Sequence, residues 1–262
     1  MLLAIDIGNS DVVLGLAEGE TWRDVWRLKT LPDEPALAYE MRLRDHFLEA
    51  GVSLSHVTQV VLSSVVPPLT DRLAETVTKL FGRPPVVVGP DVYPRLELRI
   101  DRPHEIGSDL VANAVAAYTR YRSNCIVVDF GTALTFTTVT SGGHLLGVAI
   151  APGLRTAIKA LSQNTAKLPD VPLEMPASAI GKNTIQAMQA GVLLGYVGLV
   201  ESLVGHIRAE LGDPACPAVA TGGLSSVITP LKQLFHAIEP NLTLDGLRII
   251  GQFAQTHAPR HD

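Results

Sequence analysis

Apolar positions come first in short runs and then at helical spacing. Residues 2–5 form an apolar run ending at Asp6, and residues 12–16 form another, with Gly8-Asn9 between them. After Glu18-Gly19-Glu20 a further strand-like segment covers residues 22–28. Short apolar runs bounded by turn residues predict strands. Helical periodicity over 36–50, closed by Gly51, is followed by a strand at 57–62, a helix at 69–81 and a strand at 86–88. The layout is mixed α/β. It then restarts: a helix over 109–122, capped by Ser108 or Asp109, carries Val111, Val115 and Tyr118 on its apolar side. Strands follow at 125–128, 136–139 and 145–150, helices at 154–161 and 184–211, and a strand at 218–220 leading into Thr221-Gly222-Gly223. Two halves, 1–118 and 119–262, are expected.

The halves echo one another. Leu3-Ala-Ile-Asp6-Ile-Gly8-Asn9-Ser10 resembles Ile126-Val-Val-Asp129-Phe-Gly131-Thr132-Ala133, in each case a buried strand delivering Asp-x-Gly into a turn. Recurrence at the same strand–turn–strand place points to duplication. Glycine turns let backbone N–H groups approach phosphate closely, and each turn adds an acid able to hold a cation and a polar side chain able to bond a phosphate oxygen. Either turn alone fits an ordinary hairpin; the matched pair points to phosphate binding. Gly222-Gly223, before Leu224, is open to a flat ring such as adenosine, or is a plain strand–helix turn. Asp109 either caps its helix or serves as a general base for phosphoryl transfer. Thr184, opening a long helix after Gly181-Lys-Asn, reads as a cap or as a substrate contact, with the cap preferred.

Composition narrows the field. A chain of 262 residues with 47% hydrophobic content can bury a large core, and a net charge of −5 gives no electrostatic claim on nucleic acid or anionic membrane. The two cysteines, Cys125 and Cys216, make neither a disulfide framework nor a thiolate zinc site and fit a reducing cytoplasm. Residues 1–6 have no basic region or long apolar run, so no signal peptide is expected. The apolar stretch 191–200 is about ten residues, short of the roughly twenty a spanning helix needs; a soluble cytoplasmic protein is expected. Walker A, Gly-x-Gly-x-x-Gly, His-Glu-x-x-His and Gly-x-Ser-x-Gly patterns are absent from the sequence.

Taken in order, the motifs resemble those of the type III pantothenate kinases, in the actin-like ATPase superfamily that includes sugar kinases and Hsp70. The likeness is carried by Asp6-x-Gly-Asn9, Pro103-x-Glu-x-Gly107-x-Asp109, Asn113-x-x-Ala116-Ala117 and Asp129-Phe-Gly-Thr-Ala133. It continues through Pro152-Gly153, Ile180-Gly-Lys-Asn-Thr184, Ala187-Met-Gln189 and Thr221-Gly-Gly223. The resemblance implies a duplicated actin-like (ribonuclease H-like) α/β fold, two subdomains with mixed sheets flanked by helices. It implies ATP-dependent phosphorylation of pantothenate to 4'-phosphopantothenate, the first step towards coenzyme A, with Mg2+ accompanying ATP. Asp6, Ile7, Gly8, Asn9, Ser10, Asp11, Val12 and Val13 would form the first phosphate loop, and Gly131, Thr132, Gly222 and Gly223 would also contact ATP. Asp109 would accept the substrate proton. Gly107, Ser108, Asp109, Leu110 and Thr184 would line the pantothenate site, and Asp129 would bind a monovalent cation, K+ or NH4+. A homodimer with its active site near the subunit interface is implied. The chain departs from the family pattern at Leu110, usually arginine, at Thr137, usually aspartate, and at Ile100, often tyrosine. These departures carry the alternative expectations: a weak or inactive nucleotide-binding homologue with a regulatory role, or a kinase for another small hydroxylated acid.

Overall fold

The computed structural model describes residues 1–223, 225 and 229–256. The chain forms two compact units, one made of residues 1–116 with the C-terminal helix, the other of residues 117–241. In the first unit β1 (Leu2–Ile7), β2 (Asp11–Glu18), β3 (Thr21–Lys29), β4 (Gln59–Ser64) and β5 (Val86–Val87) form one sheet in the order β3-β2-β1-β4-β5. β1 is antiparallel to β2 and parallel to β4. Alternate residues Leu3, Ile5 and Ile7 enter a core with Leu14, Leu16, Leu62 and residues of α1 (Ala36–Glu49) and α2 (Pro67–Phe81), including Tyr39, Phe47, Leu69 and Val77. Burying such side chains stabilises the unit by roughly 1.5–3 kcal/mol each. A two-residue strand, β6 (Arg99–Ile100), precedes α3 (Ser108–Tyr121).

The second unit repeats the plan. β7 (Cys125–Phe130), β8 (Ala133–Val139), β9 (His144–Pro152), β10 (Ala218–Thr221) and β11 (Ala237–Ile238) follow the order β11-β10-β7-β8-β9. β7 is antiparallel to β8 and parallel to β10, as β1 is to β2 and β4. Numbered from its own first strand, each sheet runs 3-2-1-4-5. In both central strands, of six residues each, the aspartate is the fifth residue, Asp6 or Asp129. The duplication expected from the sequence is therefore a duplication of topology. Helices α4 (Leu154–Asn164), α5 (Thr184–Gln189) and α6 (Gly195–Glu210) supply the remaining core, α5 and α6 joined by one π-helical stretch, Ala190–Leu194.

Three expectations change. The sequence pattern places no helix over 242–256, only one directly after the Thr221-Gly222-Gly223 turn, yet α7 (Leu242–Thr256) is a full helix and belongs with the first unit rather than the C-terminal half. Its Gly246 lies so close to α3 that a Cβ there would overlap the Ala112 carbonyl; Thr243 donates to Asn113 Oδ1 at 2.8 Å, and Trp22 Nε1 to Asp245 Oδ1 at 2.7 Å. Second, the helical run Thr184–Glu210 has 27 residues and is long and apolar enough to cross a membrane by length and composition, which corrects the ten-residue estimate. Its Met188, Val192, Leu193, Tyr196, Val200 and Val204 are buried in the core of the second unit, and 33% of its most apolar stretch is buried in all. Third, the cap of α5 is Asn183, whose side chain accepts from Gln186 N at 2.9 Å; Thr184 is the first helical residue.

Candidate active site

The first Asp-Gly turn sits between β1 and β2. Gly8 N donates to Asp11 O at 3.0 Å, leaving Asn9 and Ser10 exposed at its tip. Thr30 ties the turn down from β3: its Oγ1 donates to Gly8 O at 2.6 Å and its N to Ser10 O at 3.1 Å. Asp11 is held by Lys29 Nζ at 2.7 Å and by Arg27 Nη1 at 3.4 Å. Both cations are half or more exposed, so the pairs add little stability, but they put positive charge beside a turn suited to phosphate. Neither was singled out from the sequence; strand alternation with Asp11 paired to Lys29 and Val13 to Arg27 was the signal. Within 6–13 the side chains of Ile7 and Val12 are buried in the core of the first unit.

Asp109 stands in the first turn of α3. Its Oδ1 accepts from Leu110 N at 2.8 Å and lies 2.5 Å from where a Cβ on Gly107 would be, so Gly107 gives the carboxylate its room. Burial raises the Asp109 pKa above the ordinary 3.8, and backbone hydrogen bonds oppose the rise. A raised value brings a carboxylate nearer the range of an effective base. Tyr93, missed by sequence reasoning, is buried, and burial together with the nearby Asp109 charge pushes its phenol up to about 12, so it stays a neutral O–H. Ser108 is buried at the end of β4, where its Oγ pairs with Ser63 Oγ at 2.9 Å and accepts from Ser64 N at 3.2 Å. That places it as an anchor for α3. Leu110 offers its backbone to Asp109 and an apolar, partly exposed side chain.

The second Asp-Gly turn is one residue shorter: Gly131 N donates to Ala133 O at 3.1 Å. Thr132 O accepts from Gly153 N at 3.0 Å and from Thr156 Oγ1 at 2.7 Å, so the Pro152-Gly153 motif buttresses this turn from the start of α4. Gly222 has φ +89°, and a Cβ there would meet the Asp129 carboxylate and, at 2.7 Å, the backbone of Phe130. The Thr221-Gly222-Gly223 turn therefore packs directly on Asp129; Leu224 lies outside the described residues. Thr184 is exposed at the start of α5, between exposed Ile180 and Ile185. A separate cavity of about 600 Å³ beside α4, lined by Arg155, Lys159, Asp170 and a mix of polar and apolar neighbours, includes none of the candidate residues.

Among the described residues no three His, Cys, Asp or Glu side chains converge as a metal cluster. Single carboxylates at strand ends, Asp6 and Asp129, suit hard cations that keep most of their coordination from water and substrate phosphates, as Mg2+ does.

A family model described as type III pantothenate kinase matches residues 2–206. A type III pantothenate kinase from Myxococcus xanthus is 43% identical over 258 residues, covering 98% of this chain and 100% of that protein. Another, from Geobacter sulfurreducens, is 44% identical over 250 residues, covering 95% and 98%. Among solved structures, a ROK family glucokinase from Streptomyces griseus shares the fold at TM-score 0.52 and 12% identity, covering 96% of this chain and 99% of the other.

Proposed function

The chain belongs to the type III pantothenate kinase family, and we propose that it transfers the γ-phosphoryl group of ATP to the terminal hydroxyl of pantothenate, giving 4'-phosphopantothenate and ADP. The observation that carries the mechanism is Asp109, fixed by Leu110 N–H at the head of α3 with its pKa raised by burial. Its carboxylate takes the proton of the acceptor hydroxyl as that oxygen bonds to the γ-phosphorus and the bond to the β–γ bridging oxygen breaks. Positioning and charge stabilisation dominate such a transfer. Backbone N–H groups of the turn within Asp6–Val13, and of Gly131 and Thr132, hold phosphate oxygens; Gly222 and Gly223 receive the adenosine. Gly107, Leu110 and Thr184 contact pantothenate.

ATP and a divalent metal follow from membership of a kinase family. Mg2+ held with the phosphates by Asp6, and K+ or NH4+ held by Asp129, would neutralise charge that builds on the γ-phosphoryl oxygens. Assembly as a homodimer is supported by exposed Leu146, Ile150, Ile180 and Ile185, with Ile180 79% exposed. A cytoplasmic setting fits two free, buried thiols. With Asp6, Asp109 and Asp129 all retained, an inactive homologue or a kinase for another hydroxylated acid is the less favoured reading.

The test is a coupled ADP-release assay with ATP, Mg2+ and K+, with and without pantothenate, and mass spectrometry of the product. Pantothenate-dependent 4'-phosphopantothenate that disappears in Asp109→Asn is expected. ATP binding without such product would overturn the assignment.

A further inference from the structure

The face of the second sheet that carries Asp129 has two buried hydroxyls with no hydrogen-bond partner among the described residues. Thr221, Asp129 and Thr135 are paired in register across β10, β7 and β8, so all three side chains share one face. The opposite face, with Ile126, Val128, Phe130, Leu134 and Phe136, enters the apolar core. Thr135 is 9% exposed and Thr137, two residues along the same face of β8, is 1% exposed. Among the described residues neither Oγ1 has a hydrogen-bond partner. A buried unmet hydroxyl is costly and calls for a specific use. Directly paired residues on neighbouring strands have Cβ atoms about 4.5–5.5 Å apart, which puts the Thr135 hydroxyl within rotamer reach of the Asp129 carboxylate. Thr137 is paired instead with Val127 and Val148.

We propose that Thr135 is a positioning residue for Asp129, its hydroxyl donating to the carboxylate and fixing its orientation when ATP and its cations are bound. Gly222 packs on Asp129 from the β10 end, and Thr135 faces it from β8. The inference rests on Asp129 serving the nucleotide and its cation, as proposed above. Thr137 has the same chemistry and deeper burial without Asp129 as its neighbour, so it separates positioning from packing.

The experiment compares Thr135→Val, Thr135→Ser and Thr137→Val with the wild-type protein, reading ATP affinity by titration calorimetry and the KCl concentration giving half-maximal ATP binding. Losing one hydrogen bond to a charged group predicts about tenfold weaker ATP binding in Thr135→Val and a parallel rise in the KCl midpoint. Thr135→Ser should stay within about twofold of wild type, as should Thr137→Val. Equal effects in Thr135→Val and Thr137→Val, or an unmoved KCl midpoint, would overturn the positioning role. Failure of pantothenate turnover in a protein that binds ATP would sink the substrate assignment instead, and the threonine comparison would still be read from binding alone.

Discussion

Asp109 ties activity and stability together with opposite signs. Burial raises its folded pKa above the unfolded value near 3.8, so between the two values the folded chain holds a proton that the unfolded chain has lost. Stability from this group is full below 3.8 and is lost as pH rises through the folded value. Activity needs the deprotonated form. The acid limb of kcat/KM is therefore expected above pH 3.8. Asp109→Asn should abolish turnover while raising Tm at pH 7, with the Tm gain shrinking as the pH falls towards 3.8; a gain that stays constant from pH 7 down to 3.8 would contradict the burial argument. Gly222 gives a second single-residue test. Its φ of +89° and its contact with Phe130 and Asp129 leave no room for a methyl group. Gly222→Ala should raise KM for ATP by about tenfold or more and lower Tm, because both backbone strain and a displaced Asp129 follow. A KM within twofold of wild type would show that the turn does not serve the nucleotide.

At the scale of elements, what the sequence made legible followed the strength of the local pattern. The strands 2–5, 12–16 and 125–128 were found because apolar runs stop at Asp and Gly, and only their ends were short of β1 (Leu2–Ile7), β2 (Asp11–Glu18) and β7 (Cys125–Phe130). The two-residue strands β6 and β11 carry too few residues to show a period. Helix α7 was missed although Leu244, Leu247, Ile250 and Ala254 fall on one buried side, because Gly246 and Gly251 interrupt the pattern. Those glycines are where the helix meets α3 and, through Gln59 Nε2 donating to Gly251 O at 2.7 Å, β4. Tertiary contact explains them; local propensity does not. Gly246→Val should force α7 off Ala112 and cost at least about 2 kcal/mol, roughly 5 °C in Tm, measured by thermal unfolding. The candidate site was legible where motifs mark backbone turns, at Gly8, Gly131 and Gly222. Tyr93, Arg27 and Lys29 were not, since they come to their carboxylates through pairing and packing that no local motif records.

For the molecule as a whole, the second unit is an insertion in the first: the chain leaves the first unit within α3 and re-enters it at α7. Of the 14 residues of α3, nine (108–116) belong to the first unit and five (117–121) to the second, so melting either unit frees part of a helix that the other needs to retain its own part. Helices of that length are marginal without tertiary packing, which couples the two units through the chain itself. The sequence supplies separate reporters for them. Its two tryptophans, Trp22 and Trp26, lie in β3 of the first unit, and its two cysteines, Cys125 and Cys216, are buried in the second. Burial pushes the Cys125 thiol up to about 12 and the Cys216 thiol up to about 11. Both should resist a thiol reagent at pH 8 until the second unit opens, because the thiolate is the reactive form. Urea titrations followed by tryptophan fluorescence and by thiol labelling should therefore share one midpoint. Labelling that runs ahead of the fluorescence change, at a urea concentration where β3 is still intact, would mean that the inserted unit unfolds alone and that the shared helix does not bind the two into one cooperative transition.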